Sequence, residues 1–361
     1  TGESPLGKPP VSWSEDENVA WKTKLPGSGH SSPIVWSNKV FLTAVQPKGK
    51  KLPVPEQPKG AHNNLDPTHK LSFLVLCISM TGGRTLWQRE VRLAQPHQST
   101  HETGTWASAS PVTDGERVYA FFGSNGLYCL DYNGTILWEK DFGHMEVKHG
   151  HGEGASPALG EGVLVINWDH EGDSFVVAMD TKTGKKLWFR DLVKEEKAKK
   201  PYWGFSGSPE PYGELMLYHV GAGQGGSVLA LDAATGKTIW RVGDEAAGYG
   251  APVPIQRGGR RELICWGPEN VVGVPVGGGS SLWKIPYKVK YGVSIATPIY
   301  QEGIVLVCGY WNGSRAIKLG EEPGDAKVLW KDEEALCGLM SQPLYREGFC
   351  YLLDRLHGLT C

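Results

Sequence analysis

Short apolar runs, each closed by a turn signal, recur along the whole chain: VYAFF at Val118–Phe122, LYCL at Leu127–Leu130, VLVINW at Val163–Trp168 and FVVAM at Phe175–Met179. Runs of this length bounded by D-G, E-G, N-G or T-G read as strands joined by tight turns, because a helix needs a longer period-3.6 pattern. No segment sustains that helical period.

The runs repeat as a unit. SPVTDGERVYAFFGSNGLYCLDYNGTILWEK, Ser110 to Lys140, and SPALGEGVLVINWDHEGDSFVVAMDTKTGKKLWFR, Ser156 to Arg190, each predict four strands, here A to D. A Trp marks strand D at Trp87, Trp138, Trp188, Trp240, Trp283 and Trp330, with Trp21 in a matching VAWK setting. A small or polar residue before proline opens strand A at Ser32-Pro33, Ser110-Pro111, Ser156-Pro157, Ser208-Pro209, Ala251-Pro252, Thr297-Pro298 and Gln342-Pro343. Asp131, Asp180 and Asp232 close strand C, where a carboxylate accepts the amides of the next turn and glycine supplies its positive φ. Four-stranded units that cannot bury both faces alone stack radially, so the fold expected is an all-β propeller with Trp as a plate between blades.

The blades expected within one domain, 1–361, are 26–90, 105–141, 152–191, 203–242, 249–286, 293–332 and 338–361. The last unit stops before its strand D, and NVAWKTKL, Asn18–Leu25, is a strand D without a blade. Pairing 11–25 with 338–361 would close a seven-bladed ring; an eight-bladed ring in a longer chain is the alternative.

ALDAATGKTIW, AMDTKTGKKLW and CLDYNGTILW resemble the repeat of the PQQ-like β-propellers, which include quinoprotein dehydrogenases and the outer-membrane assembly factor BamB. The resemblance implies the propeller fold over essentially Trp13 to Cys361, an exported or periplasmic location and a scaffold role. It carries a second implication, an oxidoreductase using pyrroloquinoline quinone and calcium on alcohols or sugars. The alcohol dehydrogenases of that class carry adjacent cysteines beside the quinone, and here no two cysteines adjoin.

Composition changes this picture little. Gly 48 and Pro 24 suit a chain that turns often, and Lys plus Arg 37 against Asp plus Glu 39 gives no charge reason to bind nucleic acid. The longest apolar run, Leu71–Met80, is too short to span a bilayer, so no transmembrane segment is expected. Most of the seven cysteines lie in strand-like runs and read as reduced core residues. A monomer is expected.

Length variation points to the working face. From Pro157, Pro209, Pro252 and Pro298 to the next Trp the spacing is nearly constant, whereas from each Trp to the next Pro it varies. Variation therefore gathers in the D–A loops, and the first unit adds the insertion Gln46–Lys70 in its B–C loop on the same rim. Trp106, Trp168, Trp203, Trp266 and Trp311 fall there with Tyr202 and Tyr310, as plates for a ring or anchors for a peptide.

The richest polar stretch pairs HGHGEG with NWDHEGDS. His149 and His151, two apart on an expected extended chain, face one side, with Glu153, Asp169, His170 and Glu171 as acid, base or ligand candidates; a loop hydrogen-bond network is the simpler reading, and no metal is expected. GAGQGG at 221–226 matches G-x-G-x-x-G but precedes a strand, so it reads as a B–C loop, and KEEKAKK at 194–200 reads as a solvated loop. The function expected is noncatalytic binding of a protein, peptide or glycan, with no cofactor; the quinone and calcium belong to the alternative.

Overall fold

The structure, a computed structural model, describes Ser12 and residues 14–160, 162–221, 228–338, 340, 342–346 and 348–361. Six four-stranded antiparallel sheets follow one another in chain order, each with its strands in sequence order. The second runs Val112–Thr113, Arg117–Phe121, Leu127–Asp131, Ile136–Lys140, and the third Ala158–Leu159, Val163–Trp168, Phe175–Asp180, Lys186–Arg190. A seventh sheet has three strands, Leu344–Arg346, Phe349–Asp354 and Gly358–Thr360. This is an all-β propeller of four-stranded blades.

The core lies between blades because strand side chains alternate. Val118 and Ala120 pack with the first blade, beside Phe41, Phe73 and Val75, while Tyr119 and Phe121 pack with Leu164, Ile166 and Met179 of the third. Comparable clusters join blades three and four, four and five, and five and six. Near the strand A entries, the serines of the Ser-Pro markers link successive blades: Ser32 N–H donates to Ser110 Oγ at 2.8 Å, Ser110 N–H to Ser156 Oγ at 3.0 Å, and Ser156 N–H to Ser208 Oγ at 3.0 Å.

The strand D tryptophans divide into two groups. Trp21, Trp87, Trp138 and Trp188 lie over Gly83, Gly134, Gly184 and Gly236 in the C–D turn of the following blade, where a Cβ would strike the indole. Their Nε1–H groups donate to Met80, Tyr132, Thr181 and Ala233 carbonyls at 2.8–3.0 Å. Arg89 and Arg190, two residues after their Trp, donate to the carbonyls of the same turn glycines, Gly134 and Gly236. Trp240 packs, half-buried, against the cluster between blades four and five.

Trp283 and Trp330 depart from the expected plate. Trp283 is buried against its own cross-strand partner Gly273, with Nε1–H donating to Glu262 at 3.2 Å. At that junction Arg257, paired with the fully buried Glu262 at 3.0 Å, donates to the Gly320 and Glu322 carbonyls of the sixth blade's turn, so a guanidinium stands where an indole was expected. Trp330 is 42% exposed and does not reach the last blade's turn, where a Cβ built on Gly358 would meet nothing.

Closure differs as well. Asn18–Leu25 is not a strand; the chain enters through a turn at Ser14–Glu17 with Asn18 at φ 60°, and only Trp21 and Thr23 are half-buried, on the first blade. Among the described residues no ladder joins this segment to Gly358–Thr360, so Trp21 takes the plate position without completing the last sheet. The first blade's hairpin is longer than expected: Lys39–Lys48 pairs along its length with Lys70–Ser79, so Gln46–Lys48 and Lys70 are strand and not insertion loop. The KEEKAKK region is not simply solvated. Leu192–Glu196 forms a short helix capped by Asp191, and the buried Glu196 carboxylate takes Arg190 and Arg241. Of the GAGQGG loop, 222–226 lie outside the described residues.

Candidate functional site

The insertion of the first blade is laced to the loop face by backbone and amide hydrogen bonds. Asn64–Leu65 pairs antiparallel with Thr100–His101, and Asn64 Nδ2 donates to Ser99 Oγ at 2.7 Å and to the His149 carbonyl at 2.8 Å. His101 N–H donates to the His151 carbonyl at 3.1 Å, which ties the D–A loop after blade one to the D–A loop after blade two. HGHGEG is not extended. Lys148–Gly150 is a 3₁₀ turn, His149 sits at φ 56°, and Gly150 and Gly152 at φ 62° and 96° carry the left-handed conformations that other residues adopt at a cost.

This folding gathers four imidazoles, two of which, His149 and His151, lie against the Trp203 indole. The ring centroid of His62 is 5.6 Å from His149 and 4.8 Å from His151; His101 is 4.9 Å from His151. His151 stacks on Trp203 at 5.3 Å and 21°. Burial, reinforced by His101, His62 and His149, pushes the His151 pKa down to about 4, so its imidazole is neutral near pH 7. Sequence reasoning named His149, His151 and Trp203 but missed His62 and His101; AHNNLD and THETG carry no motif that marks them.

The other acid–base candidates take separate partners. Glu153 turns to the second blade, accepting Ser124 N–H at 2.7 Å and Ser124 O–H at 2.5 Å. Burial nevertheless raises its pKa to about 7. It lines two adjoining clefts, one with Gln98, Trp106 and Asn125 and the other with Asn167, Asp169 and Trp203. Asp169 accepts Phe205 N–H at 2.5 Å and Ser174 O–H at 2.6 Å and pairs with Lys200 at 3.2 Å. His170 Nδ1 accepts the Gly172 amide at 3.1 Å, with its pKa lowered by burial and then by Lys200. Glu171 lies 3.7 Å from Lys148. These carboxylates serve the loop network, and among the described residues no three His, Cys, Asp or Glu stand ready around an ion.

The aromatic candidates separate by exposure. Trp168 and Trp266, each 2% exposed, are core plates stacked on Phe175 and Tyr287, because both end a strand B whose inward positions are apolar. Trp106 packs on the core between blades one and two, its Nε1–H donating to the Gln98 carbonyl. Tyr202 is 60% exposed, meets Trp203 edge-on and carries the Lys148 ammonium 4.1 Å over its ring. Tyr310 and Trp311 form a second group with Tyr291, which is 69% exposed and was not anticipated from the sequence.

Fold and repeat together define a PQQ-repeat β-propeller. A family model described as outer membrane protein assembly factor BamB matches residues 70–145 and 125–355, and the chain belongs to that family. BamB from Moraxella catarrhalis superposes with a TM-score of 0.51 at 14% identity, over 79% of this chain and 76% of that one. Quinohemoprotein alcohol dehydrogenase from Comamonas testosteroni superposes at 0.60 and 12% identity, over 92% of this chain and 65% of that one. A europium-containing methanol dehydrogenase superposes at 0.58 and 11% identity, over 90% and 74%. At these identities the likeness is one of fold, and no curated protein matches the chain. Among the described residues no helix is long and apolar enough to cross a membrane.

Proposed function

We propose that this propeller is a noncatalytic binding scaffold whose loop face engages a protein, peptide or glycan in the cell envelope. The observation that carries the reading is the exposure of Tyr202 and Tyr291, at 60% and 69%, each beside a Trp on the rim where the loops vary most. Exposed aromatic rings flanked by polar groups suit a partner that is flat or extended. The periplasmic location is part of the proposal and rests on the family. The test screens peptide and glycan arrays with the intact chain and with Tyr202→Ala/Tyr291→Ala. Specific binding lost in the variant at unchanged melting temperature supports the reading; equal binding by both overturns it.

A quinone–calcium oxidoreductase is the second reading, favoured by superpositions at 0.60 and 0.58 against 0.51 for BamB. The side chains of the histidine-side clefts do not fit the quinone. Glu153, Asn167 and Asp169 are oxygen ligands of the kind calcium takes, but a planar tricarboxylate needs free cations and an open aromatic face, whereas Lys148 and Lys200 are already engaged and His151 covers Trp203. The cysteines nearest the core, such as Cys129 and Cys265, are separately buried. Incubation with the quinone and calcium, followed by visible absorbance and dye reduction with alcohols and sugars, decides between the two: turnover would replace the scaffold reading.

A further inference from the structure

We propose that His62, His149 and His151 form a binding site for one divalent ion of the zinc, nickel or copper class, at the junction of the first-blade insertion and the HGHGEG loop. The three ring centroids lie 4.8, 5.6 and 5.6 Å apart. Three imidazoles bound through nitrogen at about 2.0 Å to one tetrahedral ion place their ring centres about 5 Å apart.

The protonation pattern suits ligation. His62 Nδ1 faces the Gly60 carbonyl at 2.7 Å and His149 Nδ1 faces the Lys59 carbonyl at 3.1 Å. A carbonyl can only accept, so both neutral rings carry their proton on Nδ1 and leave the Nε2 lone pair free. Metal-bound histidines are oriented in this way by an outer hydrogen bond. His151 adds a buried Nε2 with no hydrogen-bond partner, an atom that an ion would satisfy. His101 is of the other kind: its Nδ1 accepts Thr103 N–H at 3.2 Å, so its proton sits on Nε2 and it is not a ligand.

The seat is built into the loops. Gly60, at φ 81°, passes so close to His149 that a Cβ would lie 2.6 Å from Nδ1, and Asn64 holds the His149 and Gly150 carbonyls from below. The donors do not yet surround one point. Binding therefore draws the exposed His62, together with its Gly60 hydrogen bond, toward His149 and His151 by a shift of the loop, while Trp203 backs the His151 ring. Exchangeable ligands are neutral nitrogens on two loops, a set that favours zinc, nickel or copper over calcium or magnesium.

The experiment uses the full chain freed of any affinity-tag histidines and stripped with chelator, titrated with zinc by calorimetry and with cobalt by visible spectroscopy. One equivalent is expected, with the intense visible bands of a tetrahedral cobalt site. His62→Gln, His149→Gln and His151→Gln should each weaken zinc by at least about tenfold, and His101→Gln should leave the affinity unchanged. Absence of saturable binding by the wild-type chain overturns the proposal. So does binding that survives His151→Gln, which would mark adventitious capture by other histidines. Because His62 is an exposed loop residue, its variant keeps the test valid should a buried one fail to fold. The outcome is independent of the array experiment, which reads the tyrosines.

Discussion

At the residue scale, one indole does different work depending on what faces it. Trp188 is 8% exposed, donates to the Ala233 carbonyl and presses on Gly236, whereas Trp330 is 42% exposed. Trp188→Ala should therefore lower stability by about 3–5 kcal/mol, and Trp330→Ala by under about 1 kcal/mol. Chemical denaturation of both variants checks the contrast, and equal losses would remove the plate role. Gly236→Ala tests the same contact from the other side: at φ 70° with the ring 2.5 Å from a new Cβ, it should cost more than the same change at Gly213, whose Cβ would meet nothing. Asp180 and Asp232 each accept the amide and hydroxyl of a threonine three residues on, the bonds that hold the T-G turn beneath the indole.

At the element scale, blades are joined by more than apolar contact. The serine relay from Ser32 to Ser208 satisfies amides beside the prolines that open strand A, at positions where proline itself offers no N–H. Ser156→Ala should cost about 1 kcal/mol, read as a shift of the denaturation midpoint, with no effect on ligand binding at the rim. Between blades five and six the Arg257–Glu262 pair replaces the indole plate. Glu262→Gln leaves the buried Arg257 without its counter-charge and should cost about 3–5 kcal/mol, more than the Ser156 change. A Glu262→Gln variant as stable as the parent would show that the guanidinium is held by the turn carbonyls alone. The first-blade hairpin, at ten residues per strand, lifts the insertion onto the loop face, and that length brings His62 within reach of the D–A loops.

At the scale of the whole molecule, the turn carboxylates set the acid end of the pH dependence of stability, while between about pH 4 and 7 the depressed His151 and the raised Glu153 act in opposite directions. Thr135 and Asn133 amides hold the Asp131 carboxyl below its usual range, and the Thr183 hydroxyl and amide do so for Asp180. Burial works against the same shift at Asp354, where the Leu356, His357 and Cys337 amides overcome it. A carboxyl with a lowered folded pKa binds fewer protons folded than unfolded. Its stabilisation is complete above the unfolded value near 3.8 and is lost as pH falls through the folded one. The melting temperature should hold toward neutral pH on this account and fall steeply below about pH 4; scanning calorimetry across that window tests it, and a flat profile would refute the carboxylate contribution.

Much of this was legible in the chain itself. Strands and turns follow from short apolar runs closed by glycine and aspartate at turns, and the strand D positions from the recurrence of Trp, signals that need no knowledge of a distant partner. The same locality explains the failures. Whether Trp283 faces the next blade or its own Gly273, and whether Trp168 is a rim plate or a core plate, depends on what the neighbouring sheet supplies. His62, His101, His149 and His151 come from loops widely separated in the chain and meet only because three blades hold those loops side by side. The local repeat thus determined the blades and the seams closed by Trp87, Trp138 and Trp188, while the remaining seams and the assembly of the loop face were left to tertiary structure, since contacts between blades are set by packing geometry and not by any repeat.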